Sequence, residues 1–267
     1  MDPVRQVIDM GAICTRISEK RKIHLQDAKA LDVCSRQKGI RWENSSLEAQ
    51  VLCTTIDAKK QIHLQNVRAL YVQSSTKGIQ WINASQTSDI AYGIKACQDI
   101  QLKNVSASFV CSDEGTIRWE NQQLLPQKTE QIHAANVIEM RSIHAKDVKS
   151  AGRKVKAVDC QIDSVFAVQR VNLKNTQVTK SLFLSIDPSR PISLKLEGSV
   201  VRGDVVIRLL PGHGADADAR IDSKLMADAK VMIRDGIIQG QVLFEGFQGQ
   251  VQCMGEAAIG QGMPKKV

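Results

Sequence analysis

The feature that most constrains this chain is a short phrase that keeps returning. It runs: an aliphatic residue, one variable residue, Leu or Trp or Ala, one variable residue, then Asn or Asp. Clear copies are Ile23 to Asp27, Ile40 to Asn44, Ile62 to Asn66, Ile79 to Asn83, Ile100 to Asn104 and Ile117 to Asn121. Looser copies run from Ile132 to Asn136, Ile143 to Asp147 and Val171 to Asn175. In the six clear copies the leading isoleucines are 17, 22, 17, 21 and 17 residues apart, so two rung lengths alternate. A unit this short cannot bury its own apolar face, and it becomes stable only when its neighbours stack on it.

Each phrase has a period of two. Ile23, Leu25 and Asp27 share one face, and His24 and Gln26 share the other, which is strand spacing rather than helix spacing. A second short apolar segment follows, such as Ala30 to Val33 or Ala69 to Val72, and then a turn such as Thr76-Lys77-Gly78. Turn residues at this interval leave segments too short for helices. The expectation is an all-β fold, a single-stranded, right-handed parallel β-helix solenoid. Leucine-rich repeats have similar length but a denser leucine consensus than this chain carries.

Within such a coil the Asn/Asp position closes a strand at a corner. Asn tolerates the left-handed backbone that a corner demands, and its amide can bond the rungs above and below. The expected ladder comprises Asp27, Asn44, Asn66, Asn83, Asn104, Asn121, Asn136, Asp147 and Asn175. Trp42, Trp81 and Trp119 lie on the inward face and are expected to form a core stack, one ring every second rung.

Asp2 before Pro3 has the pattern of a helix N-cap. Val4, Val7, Ile8, Cys14 and Ile17 then approach helical spacing, which predicts a short amphipathic helix over 4–18 capping the first rung. The predicted organisation is an N-terminal cap over 1–21 and a β-helix over 22–259, with regular rungs to 125 and irregular ones from 126. A loose tail follows over 260–267. The glycine-rich stretch 210–218 reads as a protruding loop.

Composition restricts the partners more than it identifies them. The chain has 267 residues and a formal charge of +8, which favours acidic partners over acidic-surface avoidance. Its basic residues are scattered, the densest run being Lys149, Arg153, Lys154 and Lys156. Runs this short are weak nucleic-acid signals, and the expected partners are the protein itself, another protein or an acidic polysaccharide. The seven cysteines are odd in number, widely spaced and without a Cys-x-x-Cys pair, so neither a disulfide framework nor a zinc site is expected. Free thiols and the lack of an export signal at Met1–Arg5 give a cytoplasmic default. Removal of a signal ahead of this start would instead make the protein exported. No stretch is long and apolar enough to span a membrane.

Candidate chemistry is sparse. His24, His63, His133 and His144 each follow an isoleucine and are expected to face outward, but Arg41 interrupts the row and no metal site is assigned. His213 sits in the glycine-rich loop near Asp216 and Asp218. The Arg202-Gly203-Asp204 tripeptide runs into the apolar Val205-Val206-Ile207 and reads as the start of a strand. Lys103, Asp147 and Lys174 are the ionic residues from which a polysaccharide-cleaving site would have to be assembled. No phosphate-binding loop or nucleophile elbow occurs. The expectation is therefore no catalytic set and no cofactor.

Two C-terminal stretches, Ser199 to Ile207 and Asp235 to Val242, carry Gly-Asp-Val and Gly-x-Val phrases. They resemble the coils of the bactofilins, bacterial polymer-forming β-helix proteins. The resemblance implies a nucleotide-independent scaffold that associates with itself, while the Trp-bearing rungs depart from that family's glycine-rich coils. The functional expectation is a non-enzymatic β-helical scaffold or adhesion and interaction module, possible self-association included. The alternative is an acidic-polysaccharide-binding or lyase-type β-helix protein.

Overall fold

The computed structural model describes residues 14–47, 52–86, 90–187, 192–210, 230–245, 250–255 and 257–260. They form a parallel β-helix, all-β and without a helix among the described residues. The chain divides into two compact units, 1–123 with 129–134, and 124–128 with 135–267.

The described residues of the first unit form thirteen strands. They are β1 (Cys14–Glu19), β2 (Ile23–Gln26), β3 (Ala30–Ser35), β4 (Ile40–Glu43), β5 (Cys53–Ala58), β6 (Ile62–Gln65) and β7 (Ala69–Ser74). The series continues with β8 (Ile79–Ile82), β9 (Ile90–Ala96), β10 (Ile100–Lys103), β11 (Ser106–Ser112), β12 (Ile117–Glu120) and β13 (Thr129–Ala134). Odd-numbered strands pair in parallel as one sheet and even-numbered strands as another. Each even strand is a repeat phrase. Register places Ile23, Ile40, Ile62, Ile79, Ile100 and Ile117 in one inward column. Leu25, Trp42, Leu64, Trp81, Leu102 and Trp119 form the next, all buried. Each fully buried aliphatic side chain contributes about 1.5–3 kcal/mol.

The opposite sheet answers this alternation. Its last inward column reads Ser35, Ala58, Ser74, Ala96, Ser112 and Ala134, all buried. Small residues there leave room in the coil for the indoles. The serines close their own turns: Ser35 Oγ donates to Arg21 O (2.9 Å), Ser74 Oγ to Lys60 O (2.7 Å) and Ser112 Oγ to Gln98 O (2.8 Å). Strands β9 and β11 each show two successive outward positions, Tyr92-Gly93 and Ser108-Phe109, before inward pointing resumes. Such a break in alternation bends a strand.

The second unit contains β14 (Val137–Arg141), β15 (His144–Ser150), β16 (Lys154–Val158), β17 (Gln161–Val168), β18 (Arg170–Lys174), β19 (Gln177–Val178) and β20 (Leu182–Ile186). It continues with β21 (Ser193–Glu197), β22 (Val200–Val201), β23 (Val205–Leu209), β24 (Lys230–Arg234), β25 (Ile237–Ile238), β26 (Val242–Glu245), β27 (Gln250–Met254) and β28 (Ala258–Ile259). Strands β14, β16, β18 and β21 pair in that order. Strand β17 pairs with β19 through its first residues and with β20 through its last. The bend carried inside one long strand thus becomes an open turn at Thr179-Lys180-Ser181, and from β17 onward the coil has three distinct sides. Strands β24 and β27 form a separate parallel pair.

One expectation is corrected, and two others are placed against the structure. Residues 14–18, assigned to a capping helix, belong to β1, paired in parallel with β3; residues 4–13 lie outside the described residues. The free edge of β3 offers a row of backbone partners, and Ile17 alone needs burial, so strand pairing outweighs weak helical spacing. Beyond 126 the short strands keep one inward column although their spacing varies. Register aligns Ile138, Val155, Val171 and Leu194, which are 17, 16 and 23 residues apart. The looser phrases at Ile132 and Ile143 concealed that spacing, because they overlap β13 and β15, which are longer strands of the other kind. The loop at 210–218, with His213, Asp216 and Asp218, lies outside the described residues apart from Leu210, as does the tail from 261.

Candidate functional site

The predicted ladder divides into three classes. Asn44, Asn83 and Asn121 are buried and end the Trp-bearing strands. Their carboxamide oxygens accept the indole N–H of Trp42 (3.0 Å), Trp81 (3.1 Å) and Trp119 (3.3 Å). Asp27, Asn66, Asn104 and Asn175 occupy the left-handed region, with φ of 47°, 52°, 55° and 48°. Asn66 and Asn104 are buried, whereas Asp27 and Asn175 are exposed. The amides reach main-chain groups of the adjoining rung. Asn66 Nδ2 donates to Asn44 O (2.9 Å) while Asn44 Nδ2 donates to Asn66 O (3.1 Å). Asn104 Nδ2 donates to Asn83 O (2.9 Å). Asn66 Oδ1 and Asn104 Oδ1 accept from the amides of Ala84 (2.8 Å) and Gln122 (3.1 Å). Asp27, an acceptor only, takes the amide and hydroxyl of Ser45 (2.6 and 3.0 Å).

Asn136 and Asp147 do not share this position. Asn136 follows β13, and its carbonyl accepts from Ser150 Oγ, the role Lys60 O plays for Ser74. Asp147 lies within β15 opposite Ser164. Among the described residues of the second unit, the non-glycine residues in the left-handed region are instead Ser142 (φ 54°), Asp159 (54°), Gln169 (68°), Asn175 and Asp235 (48°). Asp159 ends Val155-Lys156-Ala157-Val158-Asp159, which matches the repeat phrase in full. The tryptophans are buried as expected but do not stack on one another: Leu64 and Leu102 stand between them in register.

The ionic candidates also separate. His24 and His63 flank Arg41 in the outward column of the first unit. They converge on Glu43, at 3.9 and 3.4 Å, beside the Arg41–Glu43 pair at 2.7 Å. The hydrogen bond from Arg41 holds the Glu43 carboxyl below its ordinary range, outweighing its partial desolvation. His63 Nδ1 meets Gln80 Oε1 at 2.7 Å, and Gln80 Nε2 donates to Gln101 Oε1 at 3.1 Å. His133 and His144 belong to β13 and β15, on the other sheet. No group of three metal-ligating side chains gathers among the described residues. Lys103 is in β10, whereas Asp147 in β15 and Lys174 in β18 belong to different sheets of the second unit.

Cys53 and Cys160 are buried, and burial pushes their thiols up to about 12 and about 11. Asp204 is committed to the stack, because its Oδ1 accepts the amide of Gln241 (2.9 Å). Among the described residues no helix is long and apolar enough to cross a membrane.

One charged face stands out, on the outer side of the β14-β16-β18-β21 sheet. Alternation points Arg141, Lys154, Lys156, Arg170, Lys174 and Lys195 outward, against Glu139 and Glu197. Register fixes Lys154 beside Arg170, and Glu139, Lys156, Asn172 and Lys195 in one column. Lys154 pairs with Glu139 and Lys174 with Glu197, both at 3.3 Å. None of the described residues gives Lys156, Arg170 or Lys195 an acidic partner. The sequence marked Arg153, Lys154 and Lys156 but also Lys149, which belongs to the other sheet, in register with Phe166. Arg170 and Lys195 were missed, because only the stacking of rungs brings them alongside.

Comparisons with protein-family models, with curated proteins and with solved structures give no match.

Proposed function

We propose that this protein is a non-enzymatic β-helical scaffold, an interaction module whose cationic sheet face holds an acidic polysaccharide. The observation that carries this reading is the face of β14, β16, β18 and β21, with six outward cations against two outward carboxylates. Rungs repeat about every 4.8 Å, so the cations form a grid rather than a single pocket. A grid suits a linear polymer with one charge per unit, and a flat sheet leaves its approach open. The corner residues Asn66 and Asn104, whose amides grip the adjoining rungs, serve in this reading as a structural ladder that keeps the coil rigid.

The test is retention on immobilised polygalacturonate. Binding should weaken as salt rises, since the attraction is between exposed charges. A Lys156→Glu, Lys195→Glu double substitution should abolish it, and no unsaturated sugar products should form. Equal retention of the variant, or none by the parent at low salt, would remove the proposal.

A second reading, self-association, draws on another observation. Register sets Phe166, Phe183, Val206 and Leu243 in one apolar column, in which Val206 is buried and the other three are half-buried, with the two phenyl rings stacked at 4.8 Å. Sedimentation of the parent against Phe183→Asp measures it. A sedimentation coefficient independent of concentration for both would dismiss it.

A further inference from the structure

The first unit carries an exposed aromatic ridge that the cationic face does not explain. The chain has only ten aromatic residues, and three of them point out of the coil on consecutive long strands. Tyr71 in β7, Tyr92 in β9 and Phe109 in β11 are 49%, 54% and 50% exposed. The tyrosine rings lie 5.7 Å apart at an interplanar angle of 35°. The ridge is shaped by the bend in the strands. Register runs Thr55, Tyr71, Gly93, Phe109 and Gln131, while the two successive outward positions of β9 set Tyr92 beside Gly93. A Cβ at Gly93 would meet the Tyr71 ring at 3.5 Å, so that ring lies across bare backbone, with Phe109 one rung further.

We propose that this ridge is a stacking site for an extended neutral glycan. A pyranose has an apolar face of C–H groups and a rim of hydroxyls. It therefore asks for rings at its face and hydrogen-bonding groups at its edge. The ridge supplies both: three rings, closed at the two ends of the column by Thr55 and Gln131. Rings at successive rungs, about 4.8 Å apart, match an extended chain that places one sugar on each ring. The local charge is balanced, because Lys95 in the adjoining column pairs with Asp113 at 3.3 Å, which selects a neutral polymer over an acidic one. A protein partner fits less well. Three half-exposed rings offer on the order of 300 Å², short of the roughly 500 Å² per partner that a stable interface needs.

Affinity electrophoresis run towards the cathode tests this, in gels containing hydroxyethylcellulose, xylan or galactomannan. At least one of these neutral polymers should retard the protein. Tyr92→Ala and Phe109→Ala should each weaken the retardation about fivefold, and together they should abolish it. Gly93→Val, which keeps every ring but displaces that of Tyr71, should weaken it as well. Lys156→Glu with Lys195→Glu should leave it unchanged, which separates this site from the cationic face. No retardation by any of the three polymers, or equal retardation of parent and Tyr92→Ala/Phe109→Ala, would overturn the proposal. So would a parent that dimerises in sedimentation while Tyr92→Ala/Phe109→Ala stays monomeric, since the ridge would then be an interface between copies.

Discussion

The indole N–H of Trp81 donates to the carboxamide oxygen of Asn83, two residues further along the same strand face, at 3.1 Å. The same oxygen accepts the amide of Val67 at 3.2 Å, and the indole also reaches Val67 O at 3.0 Å. Trp and Asn therefore form one buried polar unit whose members depend on each other. Asn83→Ala should lower stability by about 1–3 kcal/mol, because it leaves a buried donor short of its acceptor. Trp81→Phe combined with Asn83→Ala should cost less than the sum of the two, with a coupling of at least about 0.5 kcal/mol. Urea denaturation of the parent, both single variants and the double variant gives the number.

Asn66 combines a left-handed backbone with three hydrogen-bonded contacts to neighbouring rungs, and two substitutions separate these contributions. Asn66→Gly loses the amide bonds but keeps an unstrained corner. Asn66→Ala loses the bonds and also places a Cβ in the left-handed region, at an added cost of about 1–2 kcal/mol. Thermal melts should therefore rank parent, Gly variant, Ala variant. Equal melting of the two variants would mean that the corner carries no backbone strain.

Gly78 has a different reason to be glycine. A Cβ there would lie 2.3 Å from the carbonyl oxygen of Asp99 on the next rung. Gly78→Ala forces two rungs apart and should cost about 1–3 kcal/mol. Gly93→Ala, whose nearest neighbour is the movable Tyr71 ring, should be neutral or slightly stabilising. Denaturation midpoints for this pair show whether rung spacing or strand propensity governs the glycines.

Asp163 predicts a pH dependence. Burial raises its pKa, but hydrogen bonds from Lys128 and Thr179 and the charges of Lys128 and Lys180 hold it, on balance, below the ordinary value. Lys128 Nζ reaches both carboxylate oxygens, at 2.9 and 2.8 Å. A carboxyl depressed in the folded state stabilises fully above its unfolded pKa, about 4, and the gain is lost as pH falls through the folded value. Asp163→Asn should therefore be less stable than the parent at pH 7, and the gap should close towards pH 2–3. Urea midpoints of both proteins across that range check the sign.

Much of the fold could be read from the period-two phrase, because inward residues in a stacked coil must repeat in register. The Trp-x-Asn pairing was also in the sequence, as three identical spacings on one strand face, but it reads as two separate columns until the indole N–H is given an acceptor. Ile132 to Asn136 and Ile143 to Asp147 misled for a physical reason. Both sheets need an inward aliphatic followed two positions later by a small or apolar residue, so a long strand can imitate the short one. Only the spacing of 17 and 16 residues from Ile138 to Val155 to Val171 separates them. The cationic face and the aromatic ridge were the least legible, since each gathers side chains from strands more than ten residues apart. Tyr71 is outward by alternation from Val72, whereas the bend that sets Tyr92 beside Gly93 has no local signature.

The alternation of leucine and tryptophan along one inward column limits how this chain can change its length. Deleting the single coil that holds Leu64 would bring Trp42 and Trp81 to neighbouring positions, with two indoles competing for space sized for one and two serine-bearing turns meeting opposite them. Removing the coils of Leu64 and Trp81 together restores the original order. The first unit should therefore gain or lose length in pairs of coils, as a zipper of two unlike teeth closes only when both are added or both are taken away.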